Sequence, residues 1–315
     1  MSTLLLRQII KLGVFFKLQV LNFLVYFAFA HSSLIAQTTL KKGVVVDENT
    51  KQVISFANFI VKGTSFGTCG NEFGYFELMC KNSDTVIVSC VGYQQMQMLG
   101  YQLKDTIGLN ASVEILKEIT VTSKKNRTTV SWLGNVSNKR DGVFTAVKEV
   151  ALFIENPYNE DVIIRKVKFS FSKIRFDDSE KGKRISNKDV LVRLNIYNDL
   201  AVTNYNLSNL IKKNIIKTLS ESDKVMVFNI EDEQIYLPKQ GAYISAEFMG
   251  YNEGRKFVPY SEENKTVLFQ FAPVFSSKHQ KANSWYKVGY EQKWKHFKYG
   301  GKPFSNFNFS IEVEK

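Results

Sequence analysis

The sequence predicts an all-β protein, and three features indicate this fold class. Aromatic residues are abundant, with 25 Phe and 14 Tyr against 5 Pro in 315 residues, and aromatic side chains suit the half-buried surface of a sheet. Apolar and polar residues alternate along much of the chain, which is typical of strands with one wet face. Turn residues separate these runs at intervals of roughly 8–12 residues. The chain is long enough for two domains.

The N-terminal 36 residues are predicted to be a signal peptide. Arg7, Lys11 and Lys17 form a basic start, residues 21–30 form a short apolar run, and small residues follow, with cleavage expected after Ala36. The alternative is a membrane anchor, but the apolar run is shorter than the ~20 residues that a spanning helix needs. No later run is long enough to span a membrane as a helix. We therefore expect an exported chain in the periplasm or at the cell surface, either free or held at the outer membrane by a partner.

The charge balance fits an envelope protein. Cleavage would remove three cations and lower the formal net charge from +12 to +9. A basic protein is attracted to anionic surfaces such as lipopolysaccharide, although lysines spread over solvated sheet faces also explain the charge. An exported chain has little access to nucleic acid, so nucleic acid is not expected as a partner.

Residues 43–116 read as short strands joined by turns. The runs GVVVD, SFANFIVKG, YFELMC and TVIVSCVGY are separated by the turn segments DENTKQ, GTSFGTCGNEFG and KNSD. Glycines permit tight reversals of the chain, and small hydroxyl residues bond locally to the backbone. This succession predicts a small β-sandwich.

The same stretch resembles the carboxypeptidase-like regulatory domain common in Bacteroidota. The resemblance implies a transthyretin-like sandwich with an accessory, non-catalytic role. Two turn positions depart from the family pattern: Gly70-Asn71 replaces Thr-Asp, and Val53 stands where Pro is frequent. The matching residues are Gly43, Val45, Asp47, Thr50, Ala57, Val61, Lys62, Gly63, Thr64, Gly67, Thr68, Gly74, Phe76, Leu78, Val91, Gly92 and Tyr93.

Residues 117–139 are predicted to be a linker. The sequence LKEITVTSKKN resembles the junction at which such a sandwich meets the plug of a TonB-dependent outer-membrane receptor. About 190 residues follow, too few for a plug and a barrel. We therefore expect a short strand and polar linker rather than a transporter.

Residues 140–315 are predicted to form a second sandwich of jelly-roll type, because period-two alternation returns and a closed double sheet buries its apolar faces. Segments such as VRLNIYN also resemble, more weakly, a jelly-roll-like domain of secreted Bacteroidota proteins. The sets expected to share a face are Val167, Phe169 and Phe171; Val190, Val192, Leu194 and Ile196; Ala242, Ile244, Ala246 and Phe248; and Phe307, Phe309, Ile311 and Val313.

Catalytic motifs are absent from the sequence. GTSFG, residues 63–67, fits the G-x-S-x-G pattern but sits in a turn region instead of a strand-turn-helix. Beyond the predicted signal peptide the histidines are His279 and His296, and neither belongs to a zinc-peptidase motif. We predict a non-enzyme with no cofactor and no metal.

Acidic clusters in predicted turns leave one enzymatic alternative open. Asp177-Asp178 and Glu231-Asp232-Glu233 are expected to face solvent. A hydrolase would need two carboxylates ~5–10 Å apart in one cleft, and the sequence pairs none. Calcium is disfavoured by the cations that follow Asp178 and by the absence of a regular ligand spacing.

The most distinctive stretch of the second domain is Ser276–Phe304, which interleaves aromatics with lysines. Trp285, Tyr286 and Trp294 are its candidate ligand-binding residues, since aromatic faces beside cations suit sugar rings carrying anionic groups. The alternative is a hairpin whose aromatics complete the core.

Three cysteines, Cys69, Cys80 and Cys90, lie in the first predicted domain. An oxidising compartment permits one disulfide among them. The preferred interpretation is that they are small buried apolar residues on strands.

Taken together, these features predict an exported, non-catalytic binding or accessory module of the cell envelope. Its expected partner is an envelope glycan or an outer-membrane protein. The alternatives are an accessory of a separately encoded TonB-dependent receptor and, second, a carboxylate-dependent hydrolase.

Overall fold

A computed structural model describes most of the chain. The described residues are 13, 15–23, 38–112, 129–134, 144–145, 147–178, 184–185, 189–201, 208–220, 222–260, 267–273, 275–276, 283–290, 293–297 and 306–315. Residues 15–23 are helical. Within these ranges no helix has the length and apolar character needed to cross a membrane. The predicted cleavage site after Ala36, most of the predicted linker, and His279 lie outside them.

Seven strands of the first part of the chain form two sheets. One sheet has three strands in the order β4-β1-β7, with β1 and β7 parallel, and the other has four in the order β3-β2-β5-β6. A 3₁₀ helix, Gly100–Gln102, precedes the last strand. The strands are β1 (Thr38–Asp47), β2 (Asn58–Val61), β3 (Gly67–Cys69), β4 (Tyr75–Lys81), β5 (Thr85–Ser89), β6 (Met96–Leu99) and β7 (Thr106–Leu109).

Alternation along these strands produces one core between the two sheets. In β4 the even-numbered residues are buried and the odd-numbered ones exposed, because successive side chains of a strand point to opposite faces. Phe59 of β2 stacks on Phe76 of β4 with ring centroids 4.0 Å apart. This is the sandwich expected for the region.

The rest of the chain forms two larger sheets. The first has the order β14-β13-β17-β10-β21-β22 with β18 attached to β17, and the second has the order β8-β24-β11-β19-β9, with β12, β15 and β16 attached to β11. β20 and β23 form a separate pair.

The first eight of these strands are β8 (Val130–Gly134), β9 (Phe144–Thr145), β10 (Val147–Ile154), β11 (Val162–Asp178), β12 (Arg184–Ile185), β13 (Asp189–Tyr197), β14 (Ile216–Leu219) and β15 (Val225–Asn229). A 3₁₀ helix, Glu231–Glu233, follows. The remaining strands are β16 (Tyr236–Leu237), β17 (Ala242–Glu253), β18 (Lys256–Pro259), β19 (Val267–Pro273), β20 (Phe275–Ser276), β21 (Ser284–Val288), β22 (Lys295–His296), β23 (Asn306–Phe307) and β24 (Phe309–Glu314).

The second core joins the predicted apolar faces. The sets predicted to share a face on β11, β13, β17 and the β23–β24 segment all belong to one buried cluster. The all-β, sandwich-like fold class is therefore confirmed. Val130–Gly134, inside the segment predicted to be a linker, pairs with β24 and extends the second sheet. The exact boundaries 43–116, 117–139 and 140–315 stay predictions.

All three cysteines are buried in the first sandwich and its border. Cys69, Cys80 and Cys90 carry free thiols and are at most 2% exposed. They occupy core positions as small apolar residues, as preferred from the sequence.

Candidate binding groove at the junction of the two sandwiches

The outer face of one sheet in the second sandwich carries five buried charged side chains. Strand alternation places Val192 and Leu194 of β13 in the core and turns Arg193 and Asn195 to the other face. On this face Arg193 is 2% exposed and Glu149 is 1% exposed. The sequence predicted this face to be wet, and that expectation is wrong for β13 and the middle of β17.

A bulge in β10 brings one further cation into the same face. Val147 pairs with Val288 and Glu149 with Lys287, so Lys148 is an extra residue in its strand. An extra residue interrupts the alternation of side chains, and as a result Lys148 and Glu149 are both buried.

These charges form a closed network around two carboxylates. Glu247 forms ion pairs with Lys148 Nζ and Arg193 Nη1, each at 3.2 Å. Glu149 pairs with Lys287. Asn195 Nδ2 lies 3.0 Å from Glu149 Oε1 and 3.1 Å from Glu247 Oε2, and so links the two halves. We call these six residues the buried charge cluster.

The first sandwich covers the buried charge cluster and bonds to it directly. Asn58 Nδ2 donates to Glu247 Oε1 at 3.0 Å. Arg193 Nη2 donates to the backbone carbonyl of Phe56. A Cβ at Gly67 would lie 2.5 Å from the Tyr290 ring of the second sandwich. Gly67, the first residue of β3, is therefore required for the two sandwiches to approach closely.

The cluster has structural rather than catalytic chemistry. Burial alone would raise the pKa of Glu247, but Arg193 and Lys148 outweigh it and hold that pKa well below its usual range. A general acid needs the opposite shift. Burial raises the pKa of the Cys69 thiol to about 12, so this thiol is not a nucleophile at neutral pH. The cavity beside the cluster measures about 50 Å³, room for water molecules rather than a substrate.

A larger groove opens beside the covered face. It measures about 750 Å³, within the usual range of ligand sites. One wall is the edge of the first sandwich, formed by β3, the turn after it and β4, and the other wall is the hairpin β17–β18. The lining residues are Leu40, Phe66, Gly67, Thr68, Cys69, Asn71, Glu72, Phe73, Tyr75, Glu77, Leu78, Met79, Arg255, Lys256, Phe257, Val258 and Pro259.

The groove exposes large apolar side chains. Phe73 is 68% exposed, and Phe66, Tyr75, Met79 and Leu40 also lie open to solvent. Contiguous exposed apolar surface of this kind marks interaction sites on soluble proteins.

The groove also has a distinct arrangement of charge. Glu77 is paired with Lys42 at 3.2 Å and accepts a hydrogen bond from the Tyr75 hydroxyl at 2.7 Å, whereas Glu72 of the same wall is an exposed carboxylate. Arg255 and Lys256 on the opposite hairpin are exposed, and the exposed Glu253 lies opposite Lys256 across the hairpin. Two cations against one carboxylate leave this wall with a net positive charge.

The three candidate residues predicted from the sequence lie on both faces of β21 and beside β22. Tyr286 packs against the core of the second sandwich. Trp285 lies on the other face of its strand, with ring centroids 4.6 Å from His296 and 6.5 Å from Tyr243. The Lys287 ammonium lies over Trp294, with Nζ 4.6 Å from the centroid of the indole ring. Trp294 therefore borders the buried charge cluster.

The acidic clusters considered from the sequence are not brought into a cleft by the described residues. Glu231 pairs with Arg165 at 2.6 Å and Glu233 with Lys213 at 2.8 Å, both on or near an exposed 3₁₀ helix. The side chains of Asp177 and Asp178 lie outside the described set. Among described residues, no group of three or more His, Cys, Asp and Glu side chains could hold a metal.

Comparison with known proteins places the first sandwich in a family. Residues 41–121 match the family model described as CarboxypepD_reg-like domain. This confirms the resemblance drawn from the turn glycines and strand motifs of residues 43–116. The groove therefore lies partly on a domain of this family and partly on the second sandwich.

A curated relative matches a stretch of similar extent. The TonB-dependent receptor SusC of Bacteroides thetaiotaomicron is 37% identical to this chain over 106 residues, which make up 34% of the chain and 10% of the receptor. The match thus spans a small fraction of the receptor's length.

Proposed function

We propose that this protein is an exported, non-catalytic binding module of the bacterial envelope, and that it engages an envelope protein through the groove. Similarity to part of an outer-membrane receptor supports the envelope location. The predicted signal peptide supports export, and the regulatory-type domain supports an accessory role.

The observation that carries the proposal is the groove at the junction. Its size, its exposed aromatics and its cationic wall together provide the features of a recognition site. The buried charge cluster supports this role because it ties the two walls together. A groove held by buried bonds is preorganised, and preorganisation lowers the entropic cost of binding.

The hydrolase alternative is disfavoured by the surroundings of the carboxylate pair in the buried charge cluster. Glu149 and Glu247 share Asn195 as a donor, but both are buried beneath the first sandwich. Glycoside hydrolysis needs one carboxylic acid with a raised pKa and access to substrate, whereas the pKa of Glu247 is lowered.

An envelope glycan is the second candidate ligand, and the surface around Trp285 favours it. Trp285, Tyr243 and His296 form a partly exposed aromatic group, and flat rings of this kind stack on sugars. Trp294 borders this region, and Tyr286 supports the same strand from the core side, so the predicted set Trp285, Tyr286 and Trp294 is retained as a proposed glycan subsite.

Capture from the native envelope separates these candidates. The chain from Gln37 to Lys315 would be immobilised and incubated with solubilised envelope, beside Phe73→Ser/Tyr75→Ser, which alters the groove, and Trp285→Thr, which alters the aromatic group. We expect an envelope protein to be retained by wild type and Trp285→Thr and lost by the groove variant. Retention of a polysaccharide that only Trp285→Thr loses would replace the protein ligand with a glycan.

The identity of the captured protein tests the remaining alternative, that the chain is an accessory of a TonB-dependent receptor. Recovery of an outer-membrane receptor with the groove intact would make the chain an accessory of a separate TonB-dependent receptor. Recovery of a periplasmic or surface protein would assign it elsewhere in the envelope. If all three baits retain the same material, the groove is not the binding site.

A further inference from the structure

We propose that the partner enters the groove as an extended peptide that adds a strand to the free edge of β4. This inference rests on the proposed function and specifies how the groove recognises its protein. It identifies the recognition chemistry as backbone hydrogen bonding combined with a carboxylate on the peptide. The backbone groups of β4 that remain open determine where an added strand can bind.

Backbone hydrogen bonds show which edge of β1 each N–H and C=O group faces. Val44 N donates to Asp105 O on the β7 side, at 2.8 Å, whereas Val45 N donates to Gly74 O on the β4 side, at 3.0 Å. Successive backbone groups of a strand alternate between its two edges. The odd-numbered residues of β1 therefore bond to β4.

The register then assigns the two edges of β4. Gly43 lies opposite Phe76 and Lys41 opposite Leu78, so the even-numbered residues of β4 bond inward to β1. The odd-numbered residues consequently direct their N–H and C=O groups to the other edge. Among the described residues no strand is hydrogen-bonded to that edge, because β4 is outermost in its sheet.

The two ends of this edge are already satisfied. Tyr75 N donates to Asn71 Oδ1 at 3.0 Å, and Tyr75 O accepts from Asn71 N at 2.9 Å. Lys81 N donates to Asp84 Oδ2 at 2.8 Å, and Lys81 O accepts from Asp84 N at 3.1 Å. The open positions are therefore Glu77 and Met79, at the middle of the strand, and both line the groove.

The surroundings of this open edge suit a strand. An added strand would lie roughly 4.8 Å from β4, with alternate side chains directed to the two sides. On the groove side it meets Phe66, Phe73 and Phe257. Main-chain bonds supply affinity and side-chain pockets supply specificity in this mode of recognition.

Charge selects the sequence of the peptide. Glu77 of β4 is paired with Lys42, so the middle of the β4 edge offers little repulsion to an acidic residue, and Glu72 in the preceding turn is the remaining exposed carboxylate of this wall. Arg255 and Lys256 on the facing hairpin are exposed cations. The complementary ligand is an extended peptide in which apolar residues alternate with carboxylates.

N-methylation of a peptide backbone tests this directly. The probe is a blocked peptide of about eight residues with alternating valine and glutamate, a length that spans a typical strand. Two matched versions carry N-methyl groups on alternate amides, one on the odd set and the other on the even set. Only one set of amides faces β4 in a bound strand, so we expect one version to bind roughly tenfold or more weakly and the other to bind like the parent.

Variants of the protein provide the complementary test. Proline is tolerated on an edge strand where its missing N–H would face outward, so Glu77→Pro should fold and lose binding of the parent peptide. Arg255→Glu/Lys256→Glu should also weaken binding of this peptide and favour one with lysine in place of glutamate. Circular dichroism and thermal unfolding check that each variant folds.

The outcomes separate this inference from the proposed function. Strand addition is wrong if both N-methylated peptides bind like the parent peptide. It is also wrong if none of the peptides binds. In either case the groove remains the site as long as the groove variant Phe73→Ser/Tyr75→Ser loses the envelope partner. If the groove variant also retains the envelope partner, the proposed function fails as well.

Discussion

The junction of the two sandwiches has a closed side and an open side, and the two differ in chemistry. On the closed side, Arg193, Glu247 and their neighbours are charged yet buried beneath the first sandwich. On the open side, Phe73 and Tyr75 are apolar yet exposed. Each side departs from the usual distribution, in which charges face water and apolar groups are buried.

The contrast separates a structural role from a recognition role. The buried charges pair with one another, and Arg193 bonds to the backbone of Phe56, so they fix how the two sandwiches meet. Phe73 and Tyr75 leave 68% and 38% of their surface open to solvent, and exposed apolar surface of this kind is what a partner requires. Perturbed pKa values alone would have pointed to the closed side of the junction.

The largest expected effect comes from breaking the closed side. Arg193→Met removes one of the two cations that pair with the buried Glu247 carboxylate and leaves Lys148 as the other. Removing one partner of a buried ion pair costs about 3–5 kcal/mol of unfolding free energy, measurable by denaturant titration.

The matched control for this substitution is an exposed ion pair. Lys213→Met removes a 2.8 Å pair with Glu233, in which the lysine side chain is 68% exposed. Such pairs contribute about 0–1 kcal/mol. Equal losses in the two variants would contradict the structural role of the buried charge cluster.

Two glycines of one turn segment sharpen the comparison at the level of the backbone. A Cβ at Gly67 would lie 2.4 Å from the carbonyl oxygen of Phe59, whereas a Cβ at Gly70 meets nothing closer than 3.5 Å. We expect Gly67→Ala to cost about 1–3 kcal/mol and Gly70→Ala to be close to neutral. Thermal unfolding of both variants measures this, and a reversed order would mean that Gly67 is closely packed against neither Phe59 nor Tyr290.

The pH dependence of stability reports on the closed side. The pKa of Glu247 is lowered in the folded protein, so its ion pairs stabilise the fold above its unfolded-state pKa of about 4.3. That contribution is lost progressively as the pH falls below this value towards the folded pKa. The stability difference between wild type and Glu247→Gln should therefore shrink between about pH 5 and pH 3. A constant difference over this range would show that Glu247 does not carry its charge in the fold.

The smallest effect on stability is expected on the open side. Phe73→Ser replaces a side chain that is 68% exposed, so it should change the unfolding free energy by about 0.5 kcal/mol or less while reducing capture of the envelope partner. A large loss of stability would place Phe73 in the core and remove it from the groove.

The strands and cores were predictable from the sequence because their signals are local. Period-two alternation assigned Val192, Leu194 and Ile196 to one apolar face, and these residues lie in the second core. The turn glycines and strand motifs likewise identified the first sandwich before any comparison.

The junction was not predictable, because it depends on contacts distant in sequence. Arg193 and Asn195 read as the wet face of a strand, and nothing nearby shows that Arg193 bonds to Phe56, 137 positions away, or that Asn58 bonds to Glu247, 189 positions away. The bulge at Lys148 is equally hidden from a period-two pattern. Phe66 and Phe73, within a turn segment, were an available sign of the groove, since apolar rings are unusual in turns.

The central claim is that the open side of the junction meets an envelope protein in the cell. A photoreactive amino acid would be placed at position 73 in the groove and, separately, at position 213 on the exposed surface, and cells expressing each form would be irradiated. We predict a cross-linked adduct with a defined envelope protein from position 73 and none from position 213. The same adducts from both positions, or none from position 73, would contradict the account.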